Sequence, residues 1–412
     1  MPSAPPPERT SSAPPDSARA ELPPVAWRTN LLLFLATIAS VFGTAVLSDR
    51  AAQAAVEAAQ KSDPPRAFAF AYAFLAPEAV KHGLQFAGAL LTILVAHELG
   101  HFITARIHKV DASLPYFIPI PLLSPFGTMG AVIRMRGSIP TRAALLDIGA
   151  SGPLAGLVFA IPMYFWGAAH SHLVPLSGVG QEGSIELGES IALRLLDRLA
   201  VSAPPDGMTL ELHPVAFAAW AGMFVTMINL VPVGQLDGGH VAYALFGTRQ
   251  DRFARVVHRA MLAFFFVSLG GYVLRDLRAG LGLYRMGQHV GNSLFWLVWF
   301  EMLAILGALG KRSSDRDGEH ELDSRTRAFS LVGLIVLATY GREHWSPLLW
   351  IAWFAGLGLL LAMERRGGSL RPSSLLDHPP TGAAPLGKGR AAIAIFTLLL
   401  FALLFMPTPM SM

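Results

Sequence analysis

The sequence predicts an all-α polytopic membrane protein of about eight or nine transmembrane helices, with a short β-hairpin or re-entrant segment beside one of them. Three observations carry that prediction. Of 412 residues, 53% are hydrophobic and 15% charged, against roughly 25% charged in soluble domains. Mean hydropathy is +0.47. Several runs also reach the roughly 17–25 apolar residues needed to cross about 30 Å of hydrocarbon. The lipid bilayer is therefore the first partner, and no nucleic-acid partner is expected. Zero cysteines exclude disulfides and thiolate ligands, which leaves His, Asp and Glu for any metal site.

Residues 1–26, "MPSAPPPERTSSAPPDSARAELPPVA", are rich in Pro, Ala and Ser without apolar periodicity, and read as a disordered cytoplasmic tail. Acidic residues and the lack of an apolar core with a small-residue cleavage site fit neither a transit nor a signal peptide, so the first span reads as a retained anchor. Residues 27–83 are then an anchor and outside loop, 84–245 a core, and 246–412 further membrane helices with charged cytoplasmic loops. Spans are expected at 29–48, 84–107, 144–168, 214–233, 260–274, 291–309, 328–341, 347–363 and 391–408. The stretch 67–80, interrupted by Pro77 and Glu78, reads as an interfacial or partial helix.

Loop charge sets the orientation. Arg106, Lys109, Arg134, Arg136 and Arg142 follow the second span, and Arg249, Arg252, Arg255 and Arg259 follow the fourth. Between the third and fourth lie Glu182, Glu186, Glu189, Asp197, Asp206 and Glu211, with only Arg194 and Arg198 opposing them. Spans two and four thus end at the cytoplasmic face. In a bacterial cell this would be the inner membrane. Segment 113–140, "SLPYFIPIPLLSPFGTMGAVIRMRGSIP", carries too many prolines and glycines for a long helix, while "AVIRMR" alternates like an edge strand.

The chemistry lies in "ILVAHELGHFITARI", 93–107. Charged groups at mid-bilayer cost about 2.5–3.5 kcal/mol each on insertion scales, so they imply a function. His97 and His101 are four apart and share one helix face, so both imidazoles can reach one metal ion, with Glu98 alongside to handle a proton. Catalytic zinc usually takes a third protein ligand, here expected to be a carboxylate from elsewhere. Asp237 is the best candidate. It stands in "MINLVPVGQLDGGH", 227–240, after a proline-broken helix end and before two glycines that let the backbone turn. Loop charge puts it at the same membrane face as the histidines.

"HELGH" within one span and "NLVPVGQLDGG" at the end of another resemble the site-2 protease family of intramembrane zinc metalloproteases. "FGTMGAVIRMRGSIPTRAALLDIGASGPLAG", 126–156, and "HPPTGAAPLGKGR", 378–390, look like the branch shared by bacterial and plastid homologues. The likeness is close over about 84–245 and loose elsewhere. It implies one Zn2+ held by His97, His101 and Asp237, Glu98 as catalytic carboxylate, Asn229 near the substrate path, and transmembrane proteins as substrates. The Pro-rich tail and the charged 311–327 segment depart from the family pattern. An edge strand in 126–136 would accept an unwound substrate by strand addition, Gly127 and Gly130 permitting close backbone approach.

Each residue has a plainer reading. The His–Glu–His set could be a buried polar cluster, Asp237 a turn residue in an Asp-Gly pair, and Asn229 an interhelical hydrogen bonder. His240 is a substitute ligand or a support for the site. "GASGPLAG", 149–156, reads as close helix packing, and Ser151 has no base partner. Glu301 is an intramembrane carboxylate without an evident partner, and His170 and His172 read as solvated. Two rival functions stand beside the protease. One is an ion or solute transporter, disfavoured because neither the 93–107 nor the 227–240 pattern has a second copy. The other is a metal-binding scaffold, which would not need Glu98.

Overall fold

The computed structural model describes residues 27–62, 68–121, 124–135, 139–175, 186–201, 204–310, 324–344, 346–367, 378, 381–382 and 384–411. The expected tail, most of the 311–327 segment and residues 379, 380 and 383 of the 378–390 segment lie outside them. Helix α1 (Arg28–Ser48) is the predicted first span. Asp49 then caps α2 (Arg50–Gln60), its carboxylate accepting from the Ala51 amide. The interrupted 67–80 stretch resolves into a 3₁₀ turn at Ala69–Leu75 and the start of α3 (Pro77–Ile107). Pro77 takes the first helical position, where its missing N–H costs nothing. At 31 residues and about 1.5 Å per residue, α3 is about 46 Å long, more than the hydrocarbon requires.

Strands β1 (Tyr116–Pro119) and β2 (Thr128–Val132) form the expected antiparallel hairpin, with Phe117 opposite Ala131. The strand begins three residues earlier than the "AVIRMR" alternation suggests. Its register shifts between Phe117 and Pro119, and beyond Val132 only Ala112 and Met135 still pair. Helix α4 (Arg142–Ala169) follows, capped by the Thr141 hydroxyl. The loop after it contains β3 (His172–Pro175), β4 (Glu186–Leu187), the amphipathic α5 (Ile191–Ala200) and β5 (Met208–Glu211), with β3 paired to β5. The chain continues through α6 (Pro214–Asn229), α7 (Asp237–Phe246), α8 (Gln250–Arg278), α9 (Leu283–Gly310), α10 (Ser324–His344), α11 (Pro347–Gly367) and α12 (Lys388–Leu404). It ends in β6 (Met410–Ser411), paired to β4.

Among the described residues, six helical stretches are long and apolar enough to cross a membrane, and two shorter apolar helices, Pro214–Asn229 and Thr326–Ala338, accompany them. The protein is a mostly helical, multi-pass membrane protein; the expected eight or nine spans stand at six full-length ones. Exposed Leu32, Val158, Val267 and Ile351 belong to the apolar outer faces such helices present to lipid.

Burial ranks the spans. In α4, 61% of the apolar window is buried, and in α3 50%, against 22% in α1 and in α11. The helices bearing the histidines and the glycine-rich run are therefore central. One apolar core joins α3, α4 and α6. A second joins α8, α9, α10 and α11, and takes in Val231 and Val233 from the loop after α6. Helix α12 is clasped to α4 by Arg390, whose guanidinium donates to both oxygens of Asp147.

Small residues set the α3–α4 approach. A Cβ at Gly100 would lie 2.6 Å from the Ser151 carbonyl oxygen and 2.9 Å from its carbon, and backbone cannot swing aside. Gly88 in the same helix has nothing within 4 Å. Gly100→Ala is therefore expected to destabilise by about 1–3 kcal/mol, as overpacking does, and Gly88→Ala to stabilise by about 0.5–1 kcal/mol through helix propensity. Thermal unfolding of the two purified variants in one detergent checks the contrast, and equal effects would refute this account of the packing.

Candidate metal centre

His97 and His101 lie one turn apart on α3, so their rings meet at 71° with centroids 4.9 Å apart. Their Nε2 atoms are 3.2 Å from each other. Asp237 Oδ2 lies 3.2 Å from His97 Nε2 and 3.2 Å from His101 Nε2. The three atoms thus mark an equilateral triangle. Two ligands about 2.0 Å from a tetrahedral zinc are about 3.3 Å apart, so the triangle has the edge of a tetrahedral face. Among the described residues, this is the one group of three or more His, Asp or Glu donors close enough to hold a metal ion.

Donor chemistry supports the fit. His101 Nδ1 donates to the Ile148 carbonyl at 2.7 Å, which leaves the Nε2 lone pair facing the triangle. All three groups are largely buried, with side-chain exposures of 4% for His97, 9% for His101 and 16% for Asp237. Lone pairs converging at this distance away from water repel unless a proton or a metal cation lies among them. Glu98, 7% exposed, is within electrostatic reach of all three.

The third donor reaches α3 through a tight turn. After α6 the Leu230 amide bonds to Thr226 and the Val231 amide to Ile228, closing the helix before Pro232. Val233 and Leu236 amides close the next turns, and Gly234 has a positive φ of 56°. The first turn of α7 then folds back onto this segment. A Cβ at Gly238 would come within 1.9 Å of the Leu230 oxygen, and one at Gly239 within 2.3 Å of the Gly234 oxygen. Asp237 itself takes the first helical position of α7, where the helix dipole favours negative charge.

Residues 85–268 match the sequence model of peptidase family M50. Over that stretch, less than half of the chain, the sequence is similar to that family, that of the site-2 proteases. The M50 segment therefore runs from within α3 into α8 and includes the whole donor triangle. Three chloroplastic proteins of Arabidopsis thaliana are similar to part of the chain. The probable zinc metalloprotease EGY1 is 35% identical over 176 residues, 41% of this chain and 30% of the relative. The probable zinc metalloprotease EGY2 is 33% identical over 176 residues, 42% of this chain and 30% of the relative. The probable zinc metallopeptidase EGY3 is 27% identical over 190 residues, 42% of this chain and 33% of the relative. The chain thus spans about a third of the length of these relatives. Their names lend no support to a bacterial inner membrane. No solved structure matches the chain.

Other expected residues of the M50 segment take up distinct positions. Asn229 Nδ2 lies 3.3 Å from His97 Nε2, at the edge of the triangle. Gly127, with φ of 74°, presses against α1, where a Cβ would meet the Ser40 oxygen and Val41 Cα at 2.7 Å. The Ser40 hydroxyl donates to its carbonyl. Gly130, with φ of 88°, has nothing within 4 Å of a Cβ, so the strand is open there. "GASGPLAG" does pack helices, and it packs them around the histidines. A Cβ at Gly152 would sit 2.1 Å from His101 Nε2, and one at Gly156 3.4 Å from His97 Cβ. Ser151 donates to the Ile148 carbonyl.

His240 is not among the three converging donors. Its Nδ1 is 2.7 Å from Nε2 of His378, a residue outside the M50 segment. His378 stacks on Tyr243, 4.2 Å between centroids, and its amide donates to Asp251. The sequence reading noted both histidines and missed their contact, which spans 138 residues.

Gly152→Ala isolates the role of this packing, since it removes no donor. Displacing the His101 ring is expected to weaken metal binding about 10–100-fold, the usual effect of losing a ligand's supporting shell. Metal content of purified protein after dialysis against graded chelator measures it, and wild-type retention would refute the assignment.

Proposed function

We propose that the chain is a zinc-dependent metalloendopeptidase that hydrolyses peptide bonds of membrane-embedded or membrane-proximal protein substrates, in regulated intramembrane proteolysis. The carrying observation is the triangle of His97 Nε2, His101 Nε2 and Asp237 Oδ2, 3.2 Å on each edge and built from apolar helices. Zinc suits two imidazoles and one carboxylate, and the relatives' names include it. Bound there, zinc would supply a Lewis acid for polarising a peptide carbonyl.

The chain's own groups do the rest. Glu98 takes a proton from the attacking water and returns it to the leaving nitrogen, the two halves of general acid–base catalysis. Asn229, beside His97, is in position to hold a substrate carbonyl through its amide. A helical substrate must unwind to expose that carbonyl, and β2 offers an extended edge with Met129 and Val132 exposed. Loop charge, with basic residues after α3 and after α7, supports an active site on the cytoplasmic side of the membrane.

A transporter would need an alternating pair of sites, and neither half-motif recurs in the sequence. A metal-binding scaffold would have no use for a buried carboxylate beside its ligands. Glu98→Gln separates these readings. The variant is expected to retain wild-type zinc while cleavage of a membrane-anchored substrate falls by at least about 10²-fold, the lower range for losing a general base. Metal analysis and substrate cleavage in proteoliposomes read the two quantities separately. Undiminished cleavage would refute the mechanism.

A further inference from the structure

The stretch that leads into α12 returns to the catalytic half of the molecule. Gly382 lies against the start of α4, where a Cβ would come within 2.8 Å of the Pro140 oxygen. Leu386 packs on a small core made by Leu145 and Leu146 of α4 with Val241, Tyr243 and Ala244 of α7. Arg390 then closes on Asp147. His378 is buried at the head of this stretch. Its Nε2 meets His240 Nδ1 at 2.7 Å, its ring lies on Tyr243, and its amide donates to Asp251 on α8.

These contacts fall on the helix that carries the third donor. Helix α7 has 10 residues, and no side chain caps its N-terminus at Leu236. A helix shorter than about 12–15 residues is marginal by itself and owes its order to packing. Asp237, in the first turn, therefore has to be placed by neighbours. His240 lies one turn further along α7, and Gly149 of α4 abuts both residues. A Cβ there would be 2.9 Å from His240 Cβ and 3.2 Å from the Asp237 carbonyl oxygen. The preceding residue, Ile148, provides the carbonyl that orients His101. Helix α4 thus meets His240 at its Cβ, and His378 secures the ring.

We propose that His378 is a positioning residue of the metal centre, which holds the first turn of α7 through His240 and so fixes the reach of Asp237. The proposal rests on the metalloprotease reading of the donor triangle. The Tyr243 ring, 22° from parallel, sets the plane of the His378 imidazole. A hydrogen bond is directional, so ring plane and bond together fix where His240 Nδ1 lies. His378 stands outside residues 85–268, so the M50 segment takes one of its supports from a later part of the chain.

Variants of the full-length chain test this through the affinity for Zn2+ and the visible absorption bands of Co2+ bound in its place. His378→Phe keeps a ring on Tyr243 and removes the bond to His240. It is expected to weaken Zn2+ binding about 10–100-fold, the usual effect of losing the support behind a ligand, and to alter the Co2+ bands. His378→Gln carries an amide that can reach His240 Nδ1, and should restore both readings to near wild type. His240→Leu breaks the same bond from its other end and should reproduce the loss, which decides the matter if His378→Phe does not fold. Thermal unfolding of the metal-free proteins should be alike across the set. Wild-type affinity and an unchanged Co2+ spectrum in His378→Phe would overturn the proposal and leave the metal reading standing. Equal losses in His378→Phe and His378→Gln, or losses matched by lower metal-free stability, would also overturn it, because the role would then be structural. A wild-type chain that binds neither ion would overturn the metal reading and the proposal with it.

Discussion

The structure depends on bringing three hydrogen-bonding atoms from two distant helices to within 3.2 Å of one another inside an apolar bundle. No hydrophobic force between helices does this in lipid, because the tails are as apolar as the side chains. Close approach has to come from shape. Gly100, Gly149 and Gly152 supply it: a side chain at Gly100 of α3 would strike α4, one at Gly149 would strike α7 and one at Gly152 the His101 ring, while Gly156 lets α4 rest in contact with His97. The glycines are spaced so that α4 presents a smooth face to α3 on one side and to α7 on the other.

Helix α4 contributes more than absence of side chains. Pro153 within it lacks an N–H, so the Gly149 carbonyl loses its usual partner and the helix is locally looser. One residue earlier, the Ile148 carbonyl accepts from both Ser151 and His101. The helix therefore lends a backbone acceptor to fix an imidazole on its neighbour. Such outer hydrogen bonds orient metal-ligating histidines and set their tautomer. The turn after α6 plays the matching part for Asp237, and the C-terminal bundle packs behind it through Val231 and Val233.

What could be read from the sequence follows the range of each interaction. His97 and His101 are linked by helical period alone, so their shared face was legible. Asp237 was legible because proline and glycines mark a forced turn. Helix positions followed from apolar runs, although the α6 and α10 stretches proved short for full spans. The strand expected in 126–136 is confined to Thr128–Val132, because its extent depends on pairing with β1 and not on local alternation. The His240–His378 contact and the Arg327–Glu364 pair were illegible for a plainer reason. They join side chains from helices and segments whose mutual rotation only packing decides.

Two groups of charged residues lie in the apolar interior, and they meet the cost of burial differently. The donor triangle gathers two imidazole nitrogens and a carboxylate oxygen 3.2 Å apart, an arrangement that suits a divalent cation. The Arg327–Glu364 pair already contains its cation, with Arg327 Nε 2.8 Å from Glu364 Oε1. Histidines serve the first group because a neutral imidazole can offer a lone pair while its other nitrogen is anchored, as His101 is to Ile148. A carboxylate serves the second because it pairs directly with a guanidinium. Exchanging the two chemistries would fail in both places. A protonated triangle could not accept a metal, and imidazoles beside Arg327 would add like charge whenever they titrated.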